Sequence, residues 1–172
     1  EMAFLKDLGL TGLPIPLQSF VDRLGRVTGS EIAELVEAYR REFELGEGVD
    51  AALLEKTARG EAALRSILAE AKSTAVGLNF LTLCNEERIG DGLHVAASRL
   101  MAEGLGYGGE GDWVTAALAR AMQRAAGPAS FSEVFSVGYA DGRLVLRHWG
   151  EGNPRLARSG RPKFLRSEFR DR

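Results

Sequence analysis

Ala75-Val-Gly-Leu-Asn-Phe-Leu-Thr-Leu83 is a short, nearly continuous apolar run, and it decides the fold class. A strand of this texture is buried on both faces, the habit of a parallel sheet covered by helices. Upstream, Ile32, Leu35, Val36, Tyr39 and Phe43 recur at the spacing of one helix face, and Thr28 with Glu31 forms a capping box, so a helix is predicted over about 29–45, stopped near Gly46 and Gly48. Asp50 can cap the next helix, whose stripe is Leu53, Leu54, Leu64, Ile67, Leu68 and Ala71 across an interior Gly60. Downstream, past a loop from Asn85 to Gly92, Leu93, Ala96, Ala97, Leu100 and Met101 mark a further helix, which Gly104 can end in the left-handed conformation. Helix, strand, helix reads as an α/β layer.

Gly104, Gly106, Gly108, Gly109 and Gly111 then bracket one carboxylate, Glu110, in a loop, and Asp112 caps a helix from Trp113 to about Ala126. Past Gly127 and Pro128 the texture changes to alternating residues, Val134 to Ala140 and Arg143 to Trp149, joined by Asp141-Gly142. That dipeptide between two such runs is a strong hairpin signal, because a two-residue turn needs positive φ at both positions. A boundary near residue 127 follows, with residues 1–127 as an α/β layer and 128–172 as the start of an antiparallel β domain containing the hairpin 134–149.

With 172 residues and 45% apolar content the chain can bury one sizeable core. The single Cys84 cannot form an internal disulfide and lacks a base partner nearby in sequence, so it reads as a buried apolar thiol rather than a nucleophile. No apolar run is long enough to span a bilayer and no basic-then-apolar leader opens the chain. A cytoplasmic setting is expected, with no membrane partner. Both ends read as cut from something longer. Residues 1–127 carry 13 Lys/Arg against 19 Asp/Glu and residues 128–172 carry 9 against 5, so the C-terminal part is basic. Its arginines are interleaved with Gly, Pro and Leu and lack stacking aromatics, which argues against a nucleic-acid partner.

The hairpin makes a geometric statement about chemistry. With Asp141 and Gly142 as the loop, Val137 pairs with Leu146, Phe135 with His148 and Glu133 with Gly150, so Glu133 and His148 share a face as diagonal neighbours roughly 7–8 Å apart at the backbone. A carboxylate and an imidazole on an apolar face are costly unless paired. A bound divalent cation satisfies both, and so does a simple Glu–His hydrogen bond. Glu110 lies in a loop whose glycines let backbone and ligand approach closely, although taken alone it reads first as an exposed loop glutamate. Gly106, Gly108 and Gly111 also satisfy G-x-G-x-x-G, but a helix, not a strand, precedes them, so no dinucleotide site is expected. His94 reads as structural or exposed. Trp113 and Trp149 are open between core and sugar-lining roles.

The stretch Gly106-Tyr-Gly-Gly-Glu-Gly-Asp-Trp-Val-Thr-Ala-Ala-Leu118 resembles the glutamate-containing glycine loop and following helix of L-arabinose isomerases. Ser130-Phe-Ser-Glu133 resembles the second metal-binding glutamate of that family, and the strand ending at His148 is similar to the one carrying its metal-binding histidine. The three motifs occur in family order with comparable spacing, and the helical region from Glu31 to Phe43 resembles the family's middle domain, so the resemblance implies that residues 1–127 are the remainder of a Rossmann-like middle domain. This resemblance implies a hexacoordinate divalent metal, usually Mn2+, held by two glutamates and two histidines, and an aldose–ketose interconversion through a cis-enediol. Carried over by position, Glu110 and Glu133 bind the metal and shuttle protons between C1 and C2, while His148 is a neutral imidazole ligand. The fourth ligand, a histidine, has no equivalent in this chain.

The segment Gly150-Glu-Gly-Asn-Pro-Arg155 differs from the residues after the histidine in typical members, so the resemblance implies a pentose or hexose without choosing between them. Expected, then, is a metal-dependent sugar isomerase, a homo-oligomer as the full-length protein, present here as a fragment inactive alone. The alternative is a non-catalytic carbohydrate-binding or regulatory module on the same scaffold.

Overall fold

A computed structural model describes residues 6–84, 86–89 and 93–166. Among its early elements are the helices α1 (Leu17–Leu24), α2 (Gly29–Glu42) and α3 (Ala51–Glu70). The capping box forms as the sequence predicts, Thr28 Oγ1 accepting from the Glu31 amide while the Glu31 carboxylate accepts from the Thr28 amide at 2.7 Å. α2 ends earlier than expected. Phe43 turns extended (φ −117°, ψ 152°) and leads into β1 (Glu44–Leu45), a strand the sequence reading lacked. Asp50 caps α3 through Oδ1, which accepts from the Leu53 amide at 2.8 Å. Gly60 sits inside α3 without breaking it, and a β-carbon there would meet only Leu93 Cδ2, at 3.4 Å, an ordinary van der Waals contact.

The apolar run that defines the fold class is a strand only at its start. β2 is Ala75–Gly77, and Phe80–Cys84 is a short helix, α4. Asn79 is the reason: its side chain accepts from the Thr82 amide at 3.2 Å, an N-cap that diverts the backbone from the sheet. α5 (Leu93–Ala102) follows, and Gly104 ends that region at φ +93° as expected. Asn85 and Gly90 to Gly92, in the predicted loop, lie outside the described residues, as does the Cys84 side chain.

β3 (Gly106–Gly108) pairs in parallel with β2, so part of the glycine-rich segment expected as a loop is a strand. A β-carbon on Gly106 would lie 2.2 Å from the Ala116 carbonyl, and one on Gly108 would lie 1.8 Å from that of Asp112. The glycines therefore admit α6 (Trp113–Ala126), whose first turns lie directly on the strand; Asp112 Oδ1 caps it by accepting from the Thr115 amide at 2.8 Å. β4 (Glu133–Gly138) and β5 (Arg143–Arg147) form the hairpin. β6 (Lys163–Phe164) then returns to pair in parallel with β1.

One core cluster holds Phe20, Leu24, Leu64, Ile67, Leu93 and Leu100, packing α1, α3 and α5 together. In a second, the rings of Tyr39, Phe43 and Phe164 meet edge to face. Each such apolar side chain contributes roughly 1.5–3 kcal/mol on burial. Arg99 of α5 is bound to Glu61 of α3 and, through Nε at 2.9 Å, to Glu42 of α2. The architecture is α/β, helices with two parallel strand pairs, and the antiparallel ribbon comes in the chain before β6 completes the second pair.

Candidate functional site

The hairpin does not have the register the sequence reading assigns. Gly142 is left-handed at φ +66°, but Asp141 is not, so the paired positive φ of a two-residue turn does not form. Tyr139 to Gly142 make a four-residue loop closed by the Gly142 amide on the Gly138 carbonyl at 2.9 Å, and Gly138 pairs with Arg143. A bulge between Val134 and Ser136 then shifts the ladder again, leaving Glu133 directly opposite Arg147. Paired residues share a face and successive residues alternate, so the ladder sets Glu133 with Arg147 and away from the side of the next residue, His148. The predicted diagonal pair of Glu133 with His148 is not formed. Glu133 is exposed.

His148 lies elsewhere. Its side chain is only 8% exposed, and its ring meets Phe131 edge to face with centroids 4.6 Å apart. The Cε1–Nε2 edge rests against Gly109, where a β-carbon would sit 2.9 Å from both atoms. The imidazole thus abuts the backbone immediately before Glu110. Glu110 itself is exposed and left-handed (φ +56°, ψ 19°) within the 3-10 turn Gly109–Gly111. Holding a residue with a β-carbon there costs about 1–2 kcal/mol, which neighbouring bonds sustain: the Gly111 amide donates to the Leu78 carbonyl at 2.9 Å and the Asp112 amide to that of Gly109 at 2.8 Å.

The structure assembles a cluster that sequence reasoning missed. Glu151, from the divergent segment after His148, is fully buried. Tyr107 of β3 donates its hydroxyl to Oε1, His94 of α5 places Nδ1 2.7 Å from Oε2, and His148 places Nδ1 2.9 Å from Oε1. Burial, then the adjacent Glu151 carboxylate, pushes the Tyr107 hydroxyl well above the usual phenol range, so it stays a donor. Gly150 makes room for His94: a β-carbon at Gly150 would fall 2.9 Å from the ring. The next residues are pinned as well. Asn153 donates to the Ala129 carbonyl at 2.9 Å, and its amide donates to Ser130 Oγ at 3.0 Å. No spacing rule links residues 94, 107, 148 and 151; only the fold does. The one available signal was the His148-x-x-Glu151 interval.

Two carboxylates and an imidazole are suitable donors for a hard divalent cation. Their placement here is not. Among the described residues no group of three or more His, Cys, Asp or Glu side chains is arranged to hold a metal ion. Glu110, Glu133 and His148 therefore do not fit a metal as a set in this structure. Gly12 lies directly on the Trp113 ring, and the Arg147 guanidinium stands 5.2 Å over Trp149. Among the described residues, no helix is long and apolar enough to cross a membrane.

The fold is an α/β layer whose glycine-bordered strand leads into a left-handed glutamate, Glu110, one residue past the glycine that meets the buried His148. A sequence model described as the L-arabinose isomerase central domain matches residues 6–127. The chain belongs to the L-arabinose isomerase family. It is 39% identical over 135 residues to an L-arabinose isomerase of Halalkalibacterium halodurans, covering 73% of this chain and 26% of that protein. Over 152 residues it is 36% identical to one of Koribacter versatilis, covering 83% of this chain and 30% of that protein. It thus spans about a quarter to a third of the length of these curated relatives.

Proposed function

We propose that this chain is part of an aldose–ketose isomerase acting on a pentose or hexose, with residues 1–127 as its middle-domain portion and 128–172 as the beginning of its β domain. The observation that carries this is the contact between His148 and Gly109: two residues singled out from distant parts of the sequence, Glu110 and His148, come to adjoining positions across that glycine. The chemistry is proton transfer between C1 and C2 through a cis-enediol. An exposed loop carboxylate such as Glu110 can meet an incoming sugar, and its restrained backbone keeps the group at a fixed address.

The divalent cation that the family resemblance implies, Mn2+, belongs to this reading only for the whole protein, because the three donors of this chain are not gathered here. The isolated chain is accordingly expected to be inactive, and the whole protein a homo-oligomer of the cytoplasm. The decisive experiment is made in the full-length protein: Glu110→Gln should abolish exchange of the sugar C2 proton with solvent while the far-ultraviolet circular dichroism stays unchanged. Retained exchange in that folded variant refutes the assignment. Sugar binding without any C2 exchange in the unaltered protein would instead favour a carbohydrate-binding module.

A further inference from the structure

We propose that Glu151 is a positioning residue for His148, holding the ring proton on Nδ1 and leaving Nε2 as the lone-pair nitrogen beside the Glu110 turn. The service Nε2 then performs rests on the isomerase reading; the tautomer itself does not.

Both groups are shut away from bulk water. The Glu151 side chain has no exposure and His148 is only 8% exposed, so each must be satisfied by its neighbours. Nδ1 of His148 lies 2.9 Å from Glu151 Oε1, and it makes no aligned hydrogen bond with any acceptor among the described residues. A neutral imidazole carries one N–H and one lone pair. Turning the lone pair toward a carboxylate sets like charge against like, whereas turning the N–H toward it makes a charge-assisted contact that a modest ring rotation would align. The proton therefore belongs on Nδ1.

The carboxylate cannot swing away to avoid this, because Tyr107 holds Oε1 and His94 holds Oε2 at 2.7 Å. Nor can the ring turn over freely. Phe131 meets it edge to face, and Gly109 lies along the Cε1–Nε2 edge. A buried carboxylate behind a histidine is a general device for fixing which nitrogen faces outward.

Long-range 15N–1H correlation spectra of the 172-residue chain, recorded where the imidazoles are neutral, test the proposal. The chain has two histidines, and His148 is assigned by its contact with Phe131. The expected pattern is a pyrrole-type Nδ1 and a pyridine-type Nε2 for His148, changing to a mixture of tautomers in Glu151→Gln. A pyridine-type Nδ1 in the unaltered chain overturns the proposal, and this result needs no variant to fold. An unchanged pattern in folded Glu151→Gln overturns it equally. Adding Mn2+ alone to the full-length protein separates this from the isomerase reading: broadening of the His148 ring signals there supports the metal part of that reading, while the Nδ1–H pattern without broadening there supports the Glu151 role and counts against the metal.

Discussion

Gly109 lies so close under the imidazole of His148 that a β-carbon there would stand 2.9 Å from Cε1 and Nε2, and 2.9 Å from Phe131 Cε1 as well. Both rings are already packed against each other, so neither can retreat without losing contact with its neighbour. Gly109→Ala is therefore expected to destabilise the chain by about 1–3 kcal/mol through overpacking. It should also displace the His148 ring signals in proton spectra. Urea unfolding measures the first effect, and an unshifted midpoint would show that the ring is not held there.

Glu61 is the buried acid at the junction of three helices. It accepts from Tyr39 Oη at 2.7 Å and Arg65 Nε at 2.7 Å, and it pairs with Arg99. Glu61→Ala leaves two guanidinium groups and a phenol short of an acceptor in a poorly solvated place. The expected loss is roughly 3 kcal/mol, the low end for a broken buried pair, because Arg99 keeps Glu42 and Arg65 keeps Glu103. Glu37→Ala, which removes an exposed partner 3.6 Å from Arg40, should cost less than about 1 kcal/mol. Comparable losses in the two variants would contradict the burial assigned to Glu61.

The Glu42–Arg99 pair gives the stability a pH dependence. Burial raises the Glu42 carboxyl, but the hydrogen bond and charge of Arg99, aided by Arg41, outweigh it and hold the group below the usual carboxylate range. A depressed acid contributes stability that is fully present above its unfolded pKa and lost as pH falls through the lower, folded one. The urea midpoint should thus decline on acidification through and below the ordinary carboxylate range, and Glu42→Gln should flatten that decline. An identical slope in the variant would remove Glu42 from the account.

The helices were legible because their signals are local. Thr28 with Glu31, and the caps Asp50 and Asp112, act within three residues of themselves, and the structure uses them as read. The apolar period likewise placed Ile32, Tyr39, Leu64 and Leu100 in the core. The misreadings all depended on geometry that spacing does not encode. Asn79 looked like one polar residue in a buried strand, yet its side chain starts a helix. Asp141-Gly142 promised a two-residue turn, but Asp141 stays out of the left-handed region, and a bulge nearer Glu133 shifts the register again. Glu151 was marked in the sequence only by its interval from His148, because its other partners come from α5 and β3 and are brought to it only by folding.

The hairpin makes the sharpest contrast in packing. Phe135 is 66% exposed and Leu146 61%, on a ribbon where Val134, Leu144 and Val145 are also open, so both faces leave apolar side chains in water. Removing such a side chain gives up little burial. Phe135→Ser and Leu146→Ser are each expected to change stability by no more than about 0.5 kcal/mol in this chain. Leu54, at 2% exposure beneath Tyr39 and Phe43, should cost about 2–5 kcal/mol on truncation to alanine. Chemical unfolding of the three variants side by side decides the matter. If Leu146→Ser approaches Leu54→Ala in cost, the ribbon is covered, and its register and exposure must differ from those described.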